Sequence, residues 1–220
     1  MSPLTLRGGP GTHVEAEIEE KRSRFLCRLV RVTQEDEARA AVESARKEHH
    51  SARHHCSAFV LGAGQDQIRR SHDDGEPSGT AGAPMLEVLT GHGLVDCVAV
   101  VTRYFGGVLL GAGGLVRAYS GAVTAAVDQA SGRGGLVQRI RRELASVDLP
   151  HADAGRVEAD LRGHGVLVLG TEYGTLARLQ LACAPDGVGH LRDRLATATG
   201  GSAELILHGQ EWVDAELGAG

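Results

Sequence analysis

The sequence predicts an α+β protein of two domains, and three observations carry that reading. Strand-like alternation and helix-spaced apolar stripes interleave along all 220 residues, a length beyond the ~150-residue prior for one domain. Charge divides unevenly: residues 1–142 hold 18 Lys+Arg against 16 Asp+Glu, and residues 143–220 hold 5 against 12. The glycine-rich SGRGG at 131–135 falls near that change of sign and reads as a linker. The resulting division is residues 1–136, residues 137–208 and a loose acidic tail at 209–220.

Val14 to Ile18 alternates, Arg24 to Val32 follows as a second strand, and EEKRSR makes the turn between them. Thr33 is expected to cap a helix, with Asp36 completing a capping box, and Ala38, Ala41, Val42 and Ala45 recur at helical spacing up to His49. Cys56 to Leu61 reads as a buried strand and Ile68 to Ser71 as its short return. HDDGEPSGTAGAP is a long run of turn formers before a short helix marked by Met85, Leu86 and Leu89. Val95 to Arg103 is the most β-rich stretch, a central strand broken by YFGGVLLGAGG. Leu115, Val116, Tyr119, Val123, Ala126, Val127 and Ala130 then stripe a long helix.

Beyond the linker the order is strand (Glu143 to Leu149), helix (Asp153 to His164), strand (Val166 to Leu169), strand (Leu176 to Ala182), helix (Gly187 to Ala198) and strand (Ala203 to Leu207). That βαββαβ order is the ferredoxin-like pattern.

Composition removes several function classes. A hydrophobic content of 42% and charged content of 23% exclude wholesale disorder. No apolar run approaches the ~18 residues of a membrane span, and no secretory signal opens the chain, so a cytoplasmic protein without a membrane partner is expected. Cys27, Cys56, Cys97 and Cys183 form no CxxC pair, which argues against a zinc knuckle or redox dithiol. GxGxxG, a P-loop, HExxH and GxSxG are all missing. Only Lys21 and Lys47 are lysines, so nearly every cation is a planar guanidinium fork suited to phosphate or carboxylate.

Three constellations remain. Asp73, Asp74 and Glu76 stand close enough in sequence to bind Mg²⁺ or Ca²⁺ or to supply an acid and a base. A rigid turn is the favoured explanation, with Ser78 or Thr80 capping the next helix, and its glycines would also suit an anion nest. The strand–glycine loop–helix from Arg103 to Tyr119 offers Gly106, Gly107, Gly113 and Gly114 for backbone approach to an anion. Arg103 and Arg117 are expected there as exposed anion contacts; Tyr104, Phe105 and Tyr119 could stack a base, with core packing the favoured reading for Phe105 and Tyr119. In ARHHCSAF, His55 and Cys56 are neighbours on a strand and point to opposite faces, so a buried small cysteine is favoured over a Cys–His nucleophile.

KRSRF, ARHHCSAF, DDGEPSGTAGAPML, VVTRYFGG and LGAGGLVRAY occur in that order over most of residues 20–120. On these motifs the chain resembles the bacterial, YigZ-type members of the IMPACT family. The resemblance implies an N-terminal domain of the ribosomal-protein S5 second-domain type and a ferredoxin-like C-terminal domain. It also implies a translation regulator or nucleic-acid binder, with no enzymatic activity established and no cofactor.

The expectation is therefore a cytosolic, non-enzymatic regulator of translation whose N-terminal domain contacts RNA or a ribosome-associated partner. Arg24, Arg53, Arg103 and Arg117 would meet phosphates, with His54 and Tyr104 stacking, in a groove that also includes Ser78, Thr80, Gly106, Gly107, Gly113 and Gly114. The alternatives are a metal-dependent enzyme on a phosphorylated small molecule, using Asp73, Asp74 and Glu76, and a protein–protein adaptor.

Overall fold

The structure, a computed structural model, describes residues 3–217. The chain divides into two compact units: one runs to Arg139 and resumes at Asp214, and the other is Ile140–Val213.

The first unit contains β1 (Leu4–Leu6), β2 (His13–Glu20), β3 (Ser23–Arg31), α1 (Glu35–Glu48), β4 (His54–Leu61), β5 (Ile68–His72), α2 (Gly82–Gly91), β6 (Cys97–Tyr104) and α3 (Ala112–Gly132). Its sheet runs β2-β3-β6-β4-β5 and is antiparallel at every pairing. Period-two alternation divides the side chains between two faces. Phe25, Cys27, Leu29, Cys56, Ala58, Val60, Ala99 and Val101 join α2 and α3 in one core; Val30, Leu61, Val98 and Val100 meet Ala38 and Ala45 of α1 in another. With helices on both sides, β6 is buried along nearly its whole length, which is why its sequence does not alternate. The alanines of α3 let it lie close to the sheet, and Tyr119 meets Phe25 edge-to-face at 5.2 Å. This mixed sandwich is the fold expected of the first domain.

The second unit takes up most of β7 (Leu136–Leu149), then α4 (His151–Gly163), β8 (Leu167–Tyr173), β9 (Ala177–Cys183), α5 (Val188–Thr199) and most of β10 (Ile206–Ala215). Strand order β8-β9-β7-β10 is the ferredoxin-like arrangement. Val147, Leu149, Val157, Leu161, Leu179, Leu181, Leu191 and Leu195 form its core.

Three local expectations are corrected. Gln34, not Thr33, is the N-cap of α1: Glu37 reaches back to accept from the backbone N–H of Thr33 at 2.6 Å and of Gln34 at 3.3 Å. SGRGG is a helix end and tight turn rather than a linker, because Gly134 takes a left-handed φ of 63° and β7 begins at Leu136. The segment expected as a loose tail is largely strand β10, which ends at Ala215. Asp214 then accepts from the buried Arg31 at 2.5 and 2.9 Å, which anchors it; residues 218–220 of the expected tail lie outside the described residues. The opening residues also form β1, whose Leu4 and Leu6 pair with Gln138 and Leu136.

Candidate functional site

One end of the first unit's sheet gathers most of the residues singled out from the sequence. Antiparallel register sets Arg24 opposite Tyr104, and Phe25 and His54 on either side of Arg103. The start of β3, the end of β6 and the start of β4 therefore share that end. The β2–β3 turn has Lys21 and Arg22 at φ 47° and 66°, the left-handed pair that a two-residue hairpin requires. Against that turn lies Gly106. A Cβ there would stand 2.0 Å from the Arg22 carbonyl carbon, and its N–H donates to Ser23 Oγ at 3.1 Å. Gly106 and Gly114 are thus packing glycines, the latter because a Cβ would press on Leu110 at 2.8 Å. Gly107, at φ 83°, turns the loop, and Gly113 is exposed in the first turn of α3 beside the Arg117 guanidinium.

The acidic turn does not converge on a metal. Asp73 accepts from the N–H groups of Gly79, Ala81 and Gly82 at 2.8–3.0 Å, so it caps α2 in place of Ser78 or Thr80. Burial opposes ionisation of Asp73, but those three donors hold its carboxyl below the usual range. Asp74, left-handed at φ 46°, accepts from the His55 N–H at 2.6 Å and from Arg46 at 2.7 Å. Glu76 turns inward and accepts from Arg103 at 2.6 Å and the Tyr119 hydroxyl at 2.7 Å. Each carboxylate is committed to a different set of donors, and no grouping of three metal-ligating side chains exists among the described residues. Ser78 is exposed, while the Thr80 hydroxyl donates to the Pro77 carbonyl at 2.6 Å.

Arg103 is not the exposed anion contact expected of it. Its side chain is 8% exposed, locked to Glu76, and lies over the Phe25 and Phe105 rings at 5.5 and 5.6 Å. Its Nε is buried with no partner among the described residues. Arg24 is also engaged, in a two-pronged pair with Glu17 at 2.5 and 3.0 Å, and lies over the Tyr104 ring. Arg53 and Arg117, by contrast, are exposed and have no carboxylate partner among the described residues, as do Lys21 and Arg22 on the neighbouring turn.

Between these elements lies a cleft of about 580 Å³ lined by Arg53, His54, Arg103, Tyr104, Phe105 and Leu109, with Ser51 and Ala52. The His54 ring is held by a 2.9 Å contact from Nδ1 to the Asp74 carbonyl, and the Tyr104 hydroxyl meets His49 Nδ1 at 3.0 Å. A second cavity, beside α1, is rimmed by Glu15, Glu17, Glu48 and Arg28, whose charges are already spent on ion pairs. Two residues beyond His54 on β4, Cys56 donates to the Asp73 carbonyl, and burial pushes its thiol up to about 12, which makes it inert. His55 is buried on the opposite face and is shifted down by desolvation.

Phe105 and Leu109 are the residues that sequence reasoning misplaced or passed over. Phe105 was expected in the core and is 53% exposed, while Leu109 is 83% exposed. The signal was present: Phe105 is the first residue past the β6 ladder and precedes two glycines, so nothing obliges it to point inward.

The comparisons with known proteins agree with this architecture. The Impact N-terminal domain profile matches residues 21–127, and a domain of unknown function, DUF1949, matches residues 147–202. The chain is 39% identical to the IMPACT family member YigZ of Escherichia coli, over 94% of this chain and 98% of that one. It is 44% identical to YvyE of Bacillus subtilis over 72% of this chain and 71% of that one. A crystal structure described only as a hypothetical protein covers 93% of this chain and 96% of its own, with 36% identity and a TM-score of 0.57. With its paired domains and near end-to-end similarity to YigZ, this chain belongs to the IMPACT family.

Proposed function

We propose that this protein is a non-enzymatic regulator of translation that binds RNA at the strand-end cleft of its first unit. The observation that carries the reading is the separation of paired from unpaired cations. Most arginines of the first unit's sheet are neutralised by carboxylates, whereas Arg53 lines the cleft unpaired, with Arg22 on the adjoining turn and Arg117 at the start of α3. Unpaired guanidinium groups near aromatic rings fit phosphates and bases together. Family membership supports the translational setting.

The supporting experiment is a fluorescence-anisotropy titration with RNA across a series of salt concentrations. Affinity should fall linearly with log salt, and Arg53→Ala and Arg117→Ala should each flatten the slope by about one charge. Unchanged slopes would remove these arginines from the contact set. One observation favours a second reading, docking of a ribosome-associated protein: Val108, Leu109 and Val116 are 39%, 83% and 37% exposed, an apolar surface beside the cleft.

A further inference from the structure

The geometry points to single-stranded RNA, rather than duplex, as the ligand of the cleft, with an unpaired base stacked on Phe105; this inference rests on the RNA-binding reading above. Phe105 is held in an unusual way for an exposed ring. The Arg103 guanidinium lies over it at 5.6 Å and also over the buried Phe25 ring at 5.5 Å. Glu76, itself buried, fixes that guanidinium through a 2.6 Å bond. The ring is therefore backed by a rigid cation anchored in the core, yet 53% of the residue remains in solvent. A ring polarised from behind and already immobilised loses little entropy when a base lies on it.

The rest of the cleft fits the same ligand. His54 and Tyr104 line it as further flat groups, each held by a hydrogen bond, and Arg53 supplies an unpaired fork for the phosphate joining two nucleotides. A duplex could use the arginines but not the rings, because its bases are stacked on one another and face inward. Ionic contact alone would leave the exposed Phe105 with no partner.

The test compares a fluorescein-labelled oligouridine with an RNA duplex of equal phosphate count, titrated against the whole chain at several salt concentrations. Phe105→Leu keeps apolar volume over Arg103 while removing the aromatic face, and Phe105→Tyr retains that face. The expected result is tighter binding of oligouridine than duplex, about a tenfold loss for oligouridine in Phe105→Leu with little change in salt slope, and recovery in Phe105→Tyr. Thermal melting of the variants checks that the fold is intact, and an oligouridine carrying one 2-aminopurine should lose fluorescence on stacking. Equal binding of the two RNAs, or an unaffected Phe105→Leu, would overturn the single-strand inference and leave the RNA reading standing. Absence of salt-dependent binding to both would overturn the two together and turn attention to a protein partner for the apolar loop.

Discussion

A cross-strand surface of the second unit and the strand end of the first treat charge differently. Across the sheet of the second unit, Arg178 grips Asp148 with two bonds of 2.7 Å, Gln180 donates to Glu172 at 2.6 Å, and His208 meets Ser146 at 2.8 Å. These side chains are spent on one another, while Arg141, Arg142 and Arg192 of the same unit have no carboxylate partner among the described residues. At the strand end of the first unit, one arginine is buried on a glutamate while Arg22, Arg53 and Arg117 have no carboxylate partner among the described residues. Net charge is a poor guide to such a difference. What marks a site is charge that the fold has left without a partner.

The comparison is broken most forcefully at the buried pair. Arg103→Ala would leave Glu76 buried without its guanidinium and should destabilise the first unit by roughly 3–5 kcal/mol, read by denaturant unfolding. Arg178→Ala, on an exposed pair of the second unit, should leave stability nearly unchanged. Similar losses for the two variants would mean that burial does not separate the two kinds of pair. Because Arg103→Ala removes the backing of Phe105, any binding loss in that variant reports the fold and not a phosphate contact.

Next in size is Gly106→Ala. Its Cβ would meet main-chain atoms of Arg22 rather than a movable side chain, so the loop or the hairpin turn must shift, at a cost of about 1–3 kcal/mol. Hydrogen exchange should show faster exchange in the 105–111 loop and the β2–β3 turn, and unaltered protection there would count against the close approach.

Asp73→Ala gives a smaller and pH-dependent effect. Removing the acceptor of the Gly79, Ala81 and Gly82 N–H groups should cost about 1–2 kcal/mol near neutral pH. The folded carboxyl sits below its unfolded value, so its contribution is complete above the ordinary aspartate value near ~3.9 and fades as pH falls through the lowered folded value. Urea midpoints of wild type and variant should therefore converge in acid. A gap that persisted there would assign the effect to packing.

Much of this architecture was legible in the residues. Alternation in β2 and the helical spacing of Leu115, Tyr119, Val123, Ala126, Val127 and Ala130 are local properties that report local structure; of the stripe read from the sequence only Val116 faces out, 37% exposed. The βαββαβ order of the second unit followed from the same kind of signal. The errors at the site were of another kind. Glu76 and Arg103 lie 27 positions apart, and Arg31 and Asp214 lie 183 apart, so no local pattern announces either pair.

By itself the sequence determined the α+β class, the two-domain division and the family, because propensity, periodicity and motif order are written in neighbouring residues. Tertiary structure alone decided which arginines are available, that Asp73, Asp74 and Glu76 separate to three different tasks, and that the Arg103 guanidinium lies over Phe105. The physical reason is that pairing depends on distance in space, and folding sets that distance between residues far apart along the chain.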